Sequence, residues 1–243
     1  MLDYSLQFDF NLIPTWCQTG TASPSSFSVP DLGAGGLSFS VTTGNPCPWT
    51  AVSTVPWITV NSGQSGNASG TVTFSADINL SQAARTGMIT ITGLGSSVTV
   101  TVSQAGLPAG VSIGGVTITG AEQSEQEQVC KHWLVGGDCQ QWINLTVSDK
   151  GNISVTVNGY TDSVRFGSGS SASSLAYALA AAINADPNSP VQAGVMFSTV
   201  WLVSKAAQGA NYSFSSAYTY DQNDFSDSSF TTVDSGPTLT GSP

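Results

Sequence analysis

His132 is the single histidine of the chain, and an imidazole is the side chain best suited to moving protons near neutral pH. It sits in the short stretch between Cys130 and Cys139, where a polar loop residue is the plain reading. Fifteen acidic residues could include the two carboxylates of a glycoside hydrolase, but no pair is set apart by its spacing. The expectation is therefore a non-enzymatic protein that needs no cofactor. Asp221, Asn223, Asp224 and Asp227 cluster oxygen donors of the kind a hard cation takes. Their spacing does not follow the EF-hand loop and its turn glycine is missing, so a solvated acidic loop is expected and no metal site is assigned. Six tryptophans, Trp16, Trp49, Trp57, Trp133, Trp142 and Trp201, could stack on sugar rings, with packing as the alternative for each. Trp133, beside His132, is the candidate for glycan stacking.

Such side chains need elements to hold them, and composition bounds what those can be. The 243 residues suit one large or two ordinary domains. Charged residues make up 8%, against about 25% in an average globular protein. Gly, Ser, Thr and Asn fill the surface instead, as in extracellular adhesive and filamentous β-proteins. The net charge is −10, and Arg85, Lys131, Lys150, Arg165 and Lys205 are scattered along the chain. Phosphate backbones and anionic bilayers both attract clustered cations, so neither nucleic acid nor membrane is an expected partner. No run of 18 apolar residues offers a membrane span, and Met1-Leu2-Asp3-Tyr4 lacks the basic start and apolar core of a signal peptide.

The pattern along the chain is mainly β. Leu2, Tyr4, Leu6, Phe8, Phe10 and Leu12 alternate with polar residues, the period of a half-buried strand. Burying such side chains stabilises by about 1.5–3 kcal/mol each, so this strand must find a partner. Within its own chain it would open a sandwich. In a neighbouring copy it would add to an open sheet edge, as in donor-strand complementation. A stiff connector, Ile13-Pro14-Thr15-Trp16, follows. Residues 17–29 read as polar and turn-rich. Strand-like runs then recur at residues 37–41, 57–60, 71–75, 88–92 and 98–102, separated by turns. This is the signature of an antiparallel sandwich, and a short linker at residues 107–110 marks a domain boundary.

Beyond it, residues 111–119 read as a strand and residues 122–128 as an acidic, amide-rich segment. Residues 142–147 and 153–157 are expected to form a hairpin across the turn at 148–152. A further strand is expected over 161–166. The one convincing helix spans residues 171–185, with serines for an N-cap, Leu175, Leu179 and Ile183 four apart, and Asp186-Pro187 as its stop. Strands resume at 191–197, 199–204 and 212–218, and the tail beyond Asp221 is poorly patterned. Five Asn-x-Ser/Thr sequons, at Asn67, Asn79, Asn144, Asn152 and Asn211, are options for glycosylation. The four cysteines are even in number and lack metal-type spacing.

One order of features is specific. Cys47-Pro48-Trp49-Thr50-Ala51, Trp57-Ile58-Thr59-Val60, a Gly/Ser turn, Arg85-Thr86-Gly87 and a strand ending Gln104-Ala105-Gly106 together resemble the BACON family over residues 16–106. These are immunoglobulin-like modules of secreted bacterial proteins, named for a suspected carbohydrate-binding role. The resemblance implies a Cys17–Cys47 bridge. The second module, residues 107–243, is similar to uncharacterised modules of secreted bacterial surface proteins and implies a Cys130–Cys139 bridge. Two bridges imply an oxidising compartment, extracellular or at the cell surface. The expected architecture is a donor strand over residues 1–15 followed by two tandem β-sandwich-like modules, the second with one helix. The expected function is structural: a subunit of an extracellular filament or surface assembly, its partners copies of itself. A carbohydrate-binding or adhesin module, with glycans as partners, is the alternative.

Overall fold

The computed structural model describes residue 17 and residues 19–44, 47–206 and 211–241. The strand expected over residues 2–12 lies outside them, as does Trp16. The chain divides into two compact units, one running to Asn79 and continuing over Ala83–Gly106, the other built from Leu80–Gln82 and from Leu107 onward.

The first unit is a two-sheet sandwich. One sheet orders its strands as β1 (Thr21–Ser23), β3 (Ala34–Thr42), β7 (Gly70–Ala76) and β5 (Ile58–Ser62). The other orders them as β2 (Ser26–Val29), β9 (Val98–Gln104), β8 (Arg85–Thr92), β4 (Trp49–Ser53) and β6 (Ser65–Gly66). All pairs are antiparallel except β2 with β9, which is parallel. Alternation drives the packing: on β9, Val100 and Val102 are buried while Thr99 and Ser103 face outward. Phe39, Phe74, Ile89 and Ile91 fill the space between the sheets, and the Phe27 and Phe74 rings meet edge to face at 5.0 Å. Residues 17–29, expected as turn-rich, carry β1 and β2. Their apolar side chains are too few to announce strands, and it is pairing with β3 and β9 that makes them so.

The second unit packs two sheets and a helix around one core. β15 (Val191–Met196), β16 (Thr199–Ser204), β10 (Ser112–Gly120) and β18 (Phe230–Asp234) form the larger sheet, with β19 (Thr240–Gly241) also on β10. β14 (Tyr160–Phe166), β13 (Gly151–Val157) and β17 (Phe214–Thr219) form the smaller. Helix α1 (Ala172–Ala185) begins with a capping box, in which Ser171 and Ser174 exchange side-chain and backbone bonds. It buries Leu175, Ala176, Leu179, Ala180 and Ile183 in the core shared by both sheets. Asn184 ties its end to β15 through a pair of 2.8 Å bonds with the Ala193 backbone. The tail expected to be unpatterned supplies β18 and β19 and buries Phe225, Phe230 and Leu239. Single apolar residues spaced by serines carry no period, yet each fills a core position.

The hairpin expected across residues 148–152 is not formed. β12 (Cys139–Ser148) pairs instead with β11 (Ser124–Trp133), the stretch expected as a polar segment, and β13 pairs with β14 and β17. The reason lies at Asp149. Its carboxylate is buried and accepts the Asp221 N–H at 3.1 Å and the Ser229 N–H at 2.7 Å. These bonds tie the link between β12 and β13 to residues 221 and 229 rather than leaving it as a free hairpin loop.

Candidate functional site: a disulfide-tipped arm

Residues 124–148 form a two-stranded ribbon, β11 and β12, that pairs with no further strand among the described residues. Nearly every side chain on it is exposed or half-exposed. Two-stranded ribbons are marginal in water, and this one is held at both ends. At its base, Glu122 accepts from the Ser148 hydroxyl at 2.9 Å and from the Gly169 N–H at 2.7 Å. The Gly169 N–H first, and then the Ser148 hydroxyl, holds the Glu122 carboxyl below its usual value. The Gln123 N–H donates to Ser229 Oγ at 3.0 Å. At its tip, Cys130 and Cys139 are bonded with Cα atoms 5.7 Å apart. Gly136 and Gly137, both at positive φ, turn the chain between them.

Register sorts the arm into two faces. Glu125 lies opposite Val147, Glu127 opposite Leu145, and Val129 opposite Ile143, which makes an apolar stripe edged by two carboxylates. The other face pairs Gln126 with Thr146 and Gln128 with Asn144, a row of amides and hydroxyls that ends at Trp142. A bulge near His132 and Trp133 breaks the ladder and re-aims the tip side chains. Trp133 is 64% exposed and Trp142 58%, with Leu134, Val135 and Leu145 also exposed. The arm thus gathers a large apolar surface that nothing within the described residues covers.

Other candidates are placed differently. Trp49 is buried and donates its indole N–H to the Ala68 carbonyl at 2.7 Å. Trp57 carries the Arg85 guanidinium over its ring at 4.3 Å. Both are packing residues. Trp201 lies in register between Gly115 and Gly194, its indole nitrogen buried with no hydrogen-bond partner among the described residues. Cys17 and Cys47 are bonded, Cα atoms 5.3 Å apart. Asn79 is 2% exposed and its amide serves the Ala83 and Ala105 carbonyls, so that sequon is closed to modification. Asn144 stands exposed on the arm.

Asp221, from the acidic cluster, pairs with Lys150 at 3.2 Å and accepts from the Asn223 backbone. The Lys150 hydrogen bond, ahead of Asn223, holds its carboxyl below the usual value. Among the described residues no three acidic, histidine or cysteine side chains converge as a metal site. Gly110-Val111-Ser112-Ile113-Gly114 has the spacing of a nucleophile elbow. That motif needs its serine exposed on a strand-to-helix turn, whereas Ser112 is buried and opens β10. The cations that looked scattered include two, Lys150 and Arg165, that line one pocket. Only the pairing of β13 with β14 brings them together.

The first unit is an immunoglobulin-like β-sandwich by its topology and core. Residues 19–107 match the sequence profile of the viral BACON domain, so this part of the chain is a BACON-like domain. Among solved structures, a Bacteroides ovatus GH5 xyloglucanase in complex with a XXXG heptasaccharide is similar over 37% of this chain and 20% of that one, at 17% identity and a TM-score of 0.33. A chimeric titin Z1Z2 carrying a KLER exogenous peptide from decorin aligns over 84% of this chain and 94% of its own, at 10% identity and a TM-score of 0.26. The chain spans about a fifth of the xyloglucanase. No curated protein sequence matches it. The two disulfides and the BACON-like domain fit an extracellular protein. No helix among the described residues is long and apolar enough to cross a membrane.

Proposed function

We propose that this protein is a non-enzymatic subunit of an extracellular assembly, in which the BACON-like domain is a rigid spacer and the arm of residues 124–148 docks on a neighbouring copy. The observation that carries this reading is the arm's exposed apolar surface on a ribbon pinned at base and tip. Evolved surfaces seldom leave tryptophan, leucine and valine in water without a partner. Glu125 and Glu127 near the base and Lys131 near the tip suit an antiparallel meeting of two arms, base to tip. The alternating segment Leu2, Tyr4, Leu6, Phe8, Phe10 and Leu12 belongs to the same reading, as a strand offered to the next subunit's sheet. The matched domain family is described as viral, which puts the surface of a virus particle among the assemblies this reading covers.

Sedimentation of the full chain, of Trp142→Ser/Leu145→Ser and of a version lacking residues 1–13 tests it. Association of the parent that weakens in either variant supports it. A parent that stays monomeric at high concentration, or association untouched by both changes, rejects it.

A second reading rests on Trp133. An exposed indole on a disulfide-held tip can stack on a sugar ring, so the arm would then be a glycan-binding adhesin element. Retention on a polysaccharide affinity gel, lost in Trp133→Ala while sedimentation is unchanged, would favour it.

A further inference from the structure

The chain carries five basic side chains against fifteen acidic ones, so a guanidinium free of carboxylates is a scarce feature on its surface. Lys150 and Arg165 line one shallow pocket of about 370 Å³ on the smaller sheet of the second unit, with Asn152, Thr219 and Tyr220. Register explains the grouping. Asn152 on β13 lies opposite Arg165 on β14 and opposite Thr219 on β17, so a guanidinium, an amide and a hydroxyl stand in a row across three strands. Thr219 Oγ1 accepts the Asn152 backbone N–H at 3.1 Å, which keeps that hydroxyl in the row. Gly151, beside Asn152 on β13 and opposite Phe166, leaves no room for a Cβ, which would run into the Thr219 carbonyl and lie 2.8 Å from the Phe166 ring, so a larger residue would push the strands apart.

The pocket's edge is equally fixed. Lys150 Nζ lies 3.2 Å from Asp221 Oδ2, and this pair offers a donor beside an acceptor. The Tyr220 hydroxyl donates to the Ser226 carbonyl at 3.0 Å, which sets the orientation of its half-exposed ring. Arg165 has no ion-pair partner among the described residues.

We propose that this pocket binds a carboxylated sugar, a hexuronate unit of an acidic polysaccharide. Its carboxylate would lie on Arg165 and its ring hydroxyls on Asn152, Thr219 and the Lys150–Asp221 pair. A guanidinium offers two parallel N–H donors that match a carboxylate. The short amide and hydroxyl beside it are the donors and acceptors that read a polyol, and a fixed aromatic ring suits the apolar face of a pyranose. An acidic peptide would satisfy Arg165 equally, but the row holds no apolar recess for its other side chains. The inference stands apart from the arm, which lies on other strands.

The test is a titration of the full chain, followed by amide chemical shifts, with a glucuronate-containing oligosaccharide, its neutral glucose counterpart and an oligo-aspartate peptide. The acidic sugar is expected to shift the amides of Asn152, Arg165 and Thr219 and to bind about tenfold more tightly than the neutral one, with a similar loss in Arg165→Gln. Arg165 is exposed, so that variant folds, and Thr219→Val offers a second check on the hydroxyl's share. Equal affinity for the neutral sugar, shifts elsewhere, unaltered binding by Arg165→Gln, or a peptide that binds as tightly as the sugar would each overturn the proposal.

Discussion

Arg85 shows how a single side chain fastens the first domain. Its Nε donates to Gln104 Oε1 at 2.8 Å and its Nη2 to the Asp77 and Ile78 carbonyls at 2.9 and 3.0 Å, while its plane covers Trp57. Gln104 in turn donates to the Pro30, Asp31 and Asp77 carbonyls. Glycine at position 87 leaves room for its neighbours, because an added Cβ would lie 2.5 Å from Val55 Cγ2 and 2.9 Å from both Ile58 Cδ1 and the Trp57 ring. The residues that carry the family resemblance, Trp57, Arg85, Gly87 and Gln104, are thus one latch that holds loop to strand. A lysine cannot reproduce the fork, so Arg85→Lys should cost about 2–4 kcal/mol in a denaturant melt followed by tryptophan fluorescence. An unchanged melt would show the latch to be ornamental.

Asp77, buried beside that latch, gives a pH signature. Burial raises its pKa above 3.8, and Arg85 lowers it by less. The folded state therefore holds the proton more tightly than the unfolded chain does. The stabilisation is full below the unfolded value and is lost as pH rises through the folded one. Relative to Asp77→Asn, the parent should lose stability as pH climbs from about 4 toward neutral, read as the difference between their urea midpoints. A constant difference would contradict the burial. Chemistry at this scale was legible in part. The resemblances implied both cysteine bridges, and the bridged loop marked Trp133 as the exposed tryptophan. Neither could reveal the pairing of Lys150 with Arg165's pocket, because strand register decides which distant residues meet.

Among the elements, helix α1 was the easiest to see, since Leu175, Leu179 and Ile183 repeat every turn and Ser171 caps it. The arm was the hardest. β11 alternates carboxylates with amides and so carries no apolar period, and β12 was assigned to the wrong neighbour. What makes this ribbon a ribbon is its disulfide and its anchored base, neither of which leaves a periodic trace. Breaking the nine-residue Cys130–Cys139 separation with Cys130→Ser/Cys139→Ser should remove about 2–3 kcal/mol of local restraint. Hydrogen exchange should then quicken over residues 124–148 and stay unchanged in α1. Glu122 adds a second control at this scale. Its pKa is lowered by the Gly169 N–H, so its contribution is present above the ordinary carboxylate value of 4.5 and fades as pH falls through the folded one. The protection of the Gly169 amide, relative to its intrinsic exchange rate, should fall at low pH in the parent and lose that step in Glu122→Gln.

For the whole molecule, the account rests on surface rather than on a catalytic centre. Few charges, two disulfides and β-rich units fit an extracellular protein, and among the described residues Trp133, Leu134, Val135, Trp142 and Leu145 stand exposed on one ribbon. In the proposed assembly residues 1–15 and the arm would each join copies, and the proposed sugar pocket lies on other strands than the arm. Cryo-electron microscopy of the native assembled material is the most direct test. The account predicts density in which the arm face carrying Ile143, Leu145 and Val147 is buried against an adjoining copy. Arms that stand free in solvent within a well-resolved assembly would contradict it.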